Sequence, residues 1–405
     1  MKKILAYGIY LDRNFGGPSI VHGLIQTLRN CDSDCEIVLY HFRSVSEKEK
    51  GCCPITVKQM PFWGGRLLIA YFARKFIGIV LHKNSVTEEF WHDFDDADVV
   101  INLYGICFCD KFNQKRKSRI KLFRAIYSAI SMFPLSFIAR FSGKRSIKCT
   151  ASYGPIVRDL TRSTAKWAAR ICFSGMIARE RESLRQMRDV AKVDCEMVCA
   201  PDIANAMPYR SKEPKQDEKS VGLSVSFQII KQWGGDKRLY YECIRSLIDS
   251  ILEMGHIKVI LFPNELKCDG VFDDAAVAAE IKQLFSDSEN VFLFDVETHT
   301  SLELKNAIAH CEVMVASRYH SCVASLSAGV PLLVVGWHYK YEELLGLYGQ
   351  SEWLLSVDNC TPDIIVSKFK KLWNEKDHIR ENLLAKKESV LGSLNESGRF
   401  ILGYS

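Results

Sequence analysis

Residues Glu312–Trp337 read EVMVASRYHSCVASLSAGVPLLVVGW. A short apolar run stops at Ser317, an alanine- and serine-rich stretch carries the chain to Gly329 and Pro331, and a second apolar run starts at once. Apolar runs bounded by turn residues predict strands, and the small-residue stretch between them has the length of a helix. Two strands joined by such a helix lie parallel, because the crossover returns the chain to the same end of the sheet. This stretch therefore predicts a βαβ unit.

The same alternation runs through most of the chain. KKILAYGIYL, CEIVLYHF and ADVVINLYG read as strands before residue 206, with a glycine turn at Gly16–Gly17 opening a helical pattern, IVHGLIQTLRN. After residue 220 SVGLSVSF, IKVILF, NVFLF and EVMVAS alternate with helical stretches, one of which, DDAAVAAEIKQLF, begins with acidic residues as the helix dipole favours. Between them MPYRSKEPKQDEKS, Met207–Ser220, has two prolines and seven charges of mixed sign, the composition of a linker. The expected architecture is α/β, with two Rossmann-like domains at 1–206 and 221–405 joined by residues 207–220 and facing across a cleft.

Composition narrows the class. The 405 residues are 47% hydrophobic and 25% charged, with a formal net charge of +6. No run approaches the ~20 uninterrupted apolar residues of a membrane span. The start, MKKILAYGIYLDRNFGG, is broken by Gly8 and has no small-residue cleavage site, so it reads as a first strand rather than an export signal. Fifteen cysteines, several inside apolar runs such as INLYGICFCD, then fit a reducing cytoplasm. Cys31/Cys35, Cys52/Cys53 and Cys195/Cys199 miss the usual zinc spacings, and no metal is expected.

In open α/β sheets, ligands bind outside the carboxyl ends of the strands. Ser317, Arg318, Tyr319 and His320 occupy such an end, where a helix begins and its first N–H groups favour an anion. An arginine adds a fork matched to carboxylate or phosphate, and a histidine can exchange a proton near neutral pH. Either residue alone suits a surface charge or a core histidine; their place at a strand end makes them site candidates. Asn264 and Glu265, ending IKVILFPNE, hold a similar position.

SRYHSCVASLSAGVP resembles the signature segment of the polysaccharide pyruvyltransferase family. Further segments resemble that family in the same order: NFGGPSIVHGL with Asn14, Gly16 and Gly17, DDADVVINLYG with Gly105, ASYGPIV, IARERESLRQM with Arg179, CAPDIA, and HYKYEELLGLYG with Lys340. Two departures stand out: the family's glycine run is Asn102-Leu103-Tyr104-Gly105 here, and its Val-Arg-Asp aspartate is Glu180. The resemblance implies a GT-B-like fold. It also implies transfer of the enolpyruvyl carbon of phosphoenolpyruvate to two hydroxyls of one sugar, giving a cyclic pyruvate ketal and phosphate without a cofactor.

On that reading His320 and Arg318 are catalytic, and Ser317, Arg179, Lys340, Gly16, Gly17, Asn14, Asn264 and Gly105 contact substrate. Arg179 also suits a solvated helix face within Arg179–Glu182, Lys340 an exposed charge and Gly16–Gly17 a tight turn, while Asp202 suits a cap or brace at the domain junction. The sequence is also acid-free from Lys111 to Arg158, where KRKSRIKLFRAIYSAISMFPLSFIARFSGKRSIK mixes cations with aromatic residues, as does GRLLIAYFARKFIGIVLHK earlier. Such basic amphipathic stretches suit an anionic membrane surface, and equally helices packed in a core. The membrane version fits a polyprenyl-diphosphate-linked acceptor at the inner face of the cell membrane. High apolar content speaks against a nucleic-acid partner. Two other functions fit the pattern: a GT-B glycosyltransferase or nucleotide-sugar epimerase, and a non-catalytic membrane-bound assembly component.

Overall fold

Strand β1 (Lys3–Tyr7) is the first predicted apolar run, and it lies at the centre of a parallel sheet. The structure is a computed structural model that describes residues 1–12, 14–42, 53–110, 122–210, 219–233, 237–265 and 273–404. On either side of β1 pair β2 (Glu36–His41) and β4 (Val99–Asn102), with Ile4 opposite both Ile37 and Val99. With β3 (Thr56–Gln59), β5 (Ile106–Cys107), β6 (Arg145–Tyr153), β7 (Gly175–Ala178) and β8 (Glu196–Cys199), the order is β3-β2-β1-β4-β6-β7-β8, and β5 pairs with β6. Every residue of β4 is buried, as its unbroken apolar sequence predicts for a strand covered on both faces.

The second sheet repeats this plan. Strands β9 (Lys219–Ser224), β10 (Ile257–Leu261), β11 (Val291–Leu293), β12 (Val313–Ala316), β13 (Leu332–Gly336) and β14 (Leu354–Ser356) are parallel in the order β11-β10-β9-β12-β13-β14. This is the doubly wound order, with its switch point between β9 and β12. The chain forms two compact units, one of Met1–Tyr10, Ile25–Ile203 and Ser393–Ser405, the other of Leu11–Leu24 and Ala204–Gly392. Relative to a simple division at the linker, the turn before the first helix groups with the second unit and the C-terminal residues with the first. Of the expected linker, residues 211–218 lie outside the described residues, while Lys219 and Ser220 begin β9.

The basic stretch divides on folding. Residues 115–121 lie outside the described residues. Arg145, Ser146, Ile147 and Lys148 are not an amphipathic surface but the start of β6. Lys148 is fully buried and donates to the carbonyl oxygens of Tyr104 and Cys149. Arg145 Nε donates to the Ile401 carbonyl at 3.0 Å, and Lys144 Nζ to those of Asp95 and Ala97. These cations close backbone gaps, which removes them from any membrane role. The described cysteines are free thiols; Cys52 and Cys268 lie outside the described residues.

A second buried lysine has a measurable consequence. Lys305, on the helix Ser301–Ala309, is 2% exposed and donates to the Met207 carbonyl at 2.7 Å. Burial, with Lys387 adding repulsion, pushes its ammonium down to about 7. The unfolded chain keeps this group protonated to its usual pKa near 10.4. Below pH 7 the folded state therefore carries the full penalty of a buried charge, and the penalty fades as pH rises toward 10. Stability of the wild type relative to Lys305→Met should climb by up to about 1.4 kcal/mol per pH unit between pH 7 and 10. Urea unfolding at several pH values measures it, and a flat difference would show that the amine is not buried in its charged form.

Candidate active site

The carboxyl ends of β9, β10 and β12 are tied to one carboxylate. Asp274, fully buried at the start of the helix Asp274–Leu284, accepts hydrogen bonds from the Phe227 and Glu265 backbone N–H groups at 2.9 and 3.0 Å. It also receives Arg318 Nε and Nη2 at 2.7 Å each, a bidentate fork. The third guanidinium nitrogen, Nη1, pairs with Glu265 at 2.7 Å. Burial opposes the charge on Arg318, but Asp274 and then Glu265 outweigh it, and the guanidinium pKa rises. The sequence expectation made Arg318 part of an anion subsite; in the structure it pairs with Asp274 and Glu265. Its three nitrogens face two carboxylates, so the cluster carries a net negative formal charge.

Ser317 is likewise committed to the fold. It is 5% exposed, its N–H donates to the Ser224 carbonyl at 3.3 Å, and its own carbonyl accepts the Tyr341 hydroxyl at 2.8 Å. Arg318 is the N-cap of the helix Tyr319–Ser327, and its extended backbone turns the chain from strand into helix. Gly329, at φ +75°, and then Pro331 end that helix as their types predict.

His320 is in the first helical turn, half-buried, with its ring edge-on to Tyr319 at 5.6 Å. Against its imidazole lies the glycine turn. A Cβ on Gly16 would stand 2.3 Å from Nδ1, so only glycine permits this approach. The turn is set from both sides. Asn14 Oδ1 accepts the Gly17 N–H at 2.9 Å and caps the helix Gly16–Cys31, and Phe15 N–H donates to the Asn264 carbonyl at 3.1 Å. Asn14 also bridges to Glu265. Asn264 Nδ2 donates to Ser321 Oγ at 3.1 Å, and Ser321 shares a 2.8 Å hydrogen bond with Ser224. Asn14, Gly16, Gly17, Asn264, Ser317, Arg318 and His320 thus form one continuous cluster, far apart in sequence.

Lys340 is not a freely solvated charge. Its Nζ lies 5.3 Å from the Tyr319 ring, 5.3 Å from Trp337 and 5.2 Å from Tyr341, within cation–π range of all three. His338 caps its helix, accepting the Lys340 N–H at 3.4 Å. Among the described residues, the Trp337 indole N–H is buried without an acceptor. Sequence reasoning missed Asp274, Ser224, Ser321 and this aromatic cage. The only sequence signal for Asp274 is an acidic residue in a helix's first turn, which usually marks nothing beyond the dipole.

Arg179 belongs to the first unit, after β7, and is 7% exposed rather than on a solvated face. It donates to Glu180 at 2.8 Å and Asp202 at 2.6 Å, and Glu180 accepts the Ser152 and Ser183 hydroxyls at 2.6 Å. Here too one arginine is held by two carboxylates at a strand's carboxyl end. Asp202 is 2% exposed and makes its pair with Arg179 within the first unit. Gly105 lies in the first unit with nothing within 4 Å of an added Cβ, so neither crowding nor φ demands glycine there. Among the described residues no group of three or more His, Cys, Asp or Glu is placed to hold a metal.

Residues 14–339, from the capping asparagine to the first residue of the Lys340 helix, match the family model for polysaccharide pyruvyl transferase. The chain belongs to that family. The amylovoran biosynthesis protein AmsJ of Erwinia amylovora is 20% identical, over 96% of this chain and 97% of its own length. Among solved structures, the S. aureus MnaA–UDP complex superposes with a TM-score of 0.58 at 12% identity, covering 100% of this chain and 98% of that one. The UDP-GlcNAc 2-epimerase of Neisseria meningitidis gives 0.57 at 12% identity, covering 99% of each. A. baumannii MurG gives 0.51 at 10%, covering 100% of each. At such identities the likeness concerns the fold alone, which is GT-B-like. The pyruvyl transferase signature segment, read first as a strand-to-helix junction, is the part of this chain that Asp274 and the glycine turn converge upon.

Three substitutions test this geometry. Asp274→Asn removes the charge that holds Arg318, and stability should drop by about 3 kcal/mol, the low end for breaking a buried pair because Arg318 retains Glu265. Gly16→Ala drives a methyl group into His320 and should cost about 1–3 kcal/mol while shifting the imidazole NMR signals. Gly105→Ala, with open space around it, should change stability by less than about 0.5 kcal/mol. Denaturant titrations of the three variants give the comparison, and equal effects at positions 16 and 105 would refute the packing of the glycine turn on His320.

Proposed function

We propose that the protein transfers the enolpyruvyl group of phosphoenolpyruvate to two hydroxyls of one sugar, forming a cyclic pyruvate ketal on a lipid-linked polysaccharide precursor. One observation carries this reading: the His320 imidazole, held against Gly16 at the carboxyl edge of β12. Family membership and the AmsJ relative support a role in polysaccharide modification.

In the proposed reaction the His320 imidazolium gives its proton to the methylene carbon, whose π pair forms the new C–H bond. The adjacent carbon becomes an oxocarbenium centre. A sugar hydroxyl adds to it and returns a proton to His320, which then protonates the departing phosphate oxygen as the C–O bond breaks. The second hydroxyl adds to the same carbon, and its proton restores the imidazolium. One ketal and one hydrogen phosphate leave, and His320 ends as it began. Lys340, oriented by its three rings, serves as the phosphate's point charge. Arg318 acts as a positioning residue: through Asp274 it fixes the helix start that presents His320. Arg179 braces the first unit's strand ends in the same way, and Asn14 and Gly17 shape the turn beside the imidazole.

The test is phosphate release from phosphoenolpyruvate with a panel of aryl glycosides as acceptors, each product checked by mass for an added pyruvate ketal. His320→Ala should lower turnover at least a hundredfold with an unchanged melting temperature. Lys340→Met should raise KM for phosphoenolpyruvate about tenfold with a smaller effect on kcat. Full activity of His320→Ala would end this assignment.

A further inference from the structure

The first unit carries a second apolar surface. The helix Gly64–Phe72 continues into the turn Ala73–Ile77, and with the helices Leu122–Met132 and Pro134–Phe141 it forms one packed group. Phe72 and Phe141 meet at 5.6 Å, and Tyr71 and Phe141 at 6.2 Å. Each helix already has a filled inner side: Leu67, Ala70 and Tyr71 on the first, Ala125 and Ala129 on the second, Leu135, Ile138 and Ala139 on the third. Their outer sides are nevertheless apolar. Ile69, Phe76 and Ile77 are 63%, 68% and 69% exposed, and Phe123, Tyr127 and Phe141 are 78%, 65% and 52% exposed. Single exposed apolar residues are ordinary, but helices apolar on both sides, grouped at one place, need a second apolar medium.

Charge decides what that medium is. The helices Gly64–Ile77 and Leu122–Phe141 contain no acidic residue. Their exposed ionisable side chains, Arg66, Lys75, Arg124 and Arg140, are all cationic. Arg74 is spent on Asp95, and Lys83, just beyond, faces Glu88 at 3.8 Å. A second copy presenting the same face would meet like charge. A nucleic acid would leave the aliphatic and aromatic side chains uncovered. An anionic bilayer interface satisfies both components, with rings at headgroup depth and cations against lipid phosphates. Among the described residues no single helix is long and apolar enough to cross a membrane, and Leu122–Met132 and Pro134–Phe141 reach that length only as a pair. They are bent by 98° at their junction, and the latter is packed against β4 and β6.

We propose that this face docks the protein on anionic lipid membrane, with Phe76, Ile77, Phe123 and Tyr127 entering the interface and Arg66, Lys75 and Arg124 pairing with phosphates. The inference does not depend on the reaction proposed above, since membrane binding is measured without substrate.

Flotation of the full chain with vesicles tests it. Binding should be at least tenfold stronger to phosphatidylcholine vesicles containing phosphatidylglycerol than to phosphatidylcholine alone, and should weaken in high salt. Each of Arg66→Glu, Lys75→Glu and Arg124→Glu should weaken it about fivefold or more. Phe123→Ser with Tyr127→Ser, both on an exposed side and without effect on the melting temperature, should lower it about tenfold or more. Trp63, 42% exposed beside this face, should shift its emission to the blue with anionic vesicles only. Equal binding by wild type and variants, or no binding to either vesicle, overturns the proposal. So does a change in sedimentation coefficient with Phe123→Ser, which would place a second copy on this face.

Discussion

One buried carboxylate holds the second unit's functional edge together. Asp274 gathers an N–H group after β9, another after β10 and the two-pronged guanidinium after β12, so three strand ends that meet at the switch point share one anion. A fully buried carboxylate is tolerable only when its lone pairs are met, and here four donors meet them. The arrangement fixes where the helix Tyr319–Ser327 starts, and hence where the imidazole at its second position stands. In the proposed reaction, an Arg-x-His pattern that looks like two independent functional groups is thus one group that acts and one that is acted through.

The first unit repeats the device with different residues. Arg179 stands after β7 between Glu180 and Asp202, and the serines of β6 and the following helix complete the set. In both units the arginine's charge is outnumbered by its carboxylate partners. In the proposed reaction the anionic donor is therefore assigned to another cation, Lys340. Three aromatic rings lie within cation–π range of its ammonium and limit its rotamers.

The same economy of cations explains the basic stretch in the first unit. Lys144, Arg145 and Lys148 answer backbone carbonyl oxygens, where a neutral side chain would leave acceptors unmet. Among the described residues, Arg66, Lys75, Arg124 and Arg140 on the helices beside them are exposed. Two populations of lysine and arginine that are indistinguishable by composition are separated by what each finds within reach.

The fold was largely legible. Apolar runs and helix-length spacers between them predicted β1, β2, β4 and five strands of the second unit, β9 to β13, because burial on both faces of a parallel sheet forces continuous apolar sequence. The strand β6 was hidden, since Arg145 and Lys148 interrupt its pattern and their compensation is tertiary. His320 and the glycine turn were visible as types at informative positions. Their contact was not, because nothing local links residue 16 to residue 320. Asp274 gave no usable signal: a carboxylate in a helix's first turn reads alike whether it faces water or a buried guanidinium. Sequence by itself determined the order of strands and helices and the chemistry available at their ends. Only tertiary structure decided which charges are spent on each other, because that depends on distances set by packing between segments hundreds of residues apart.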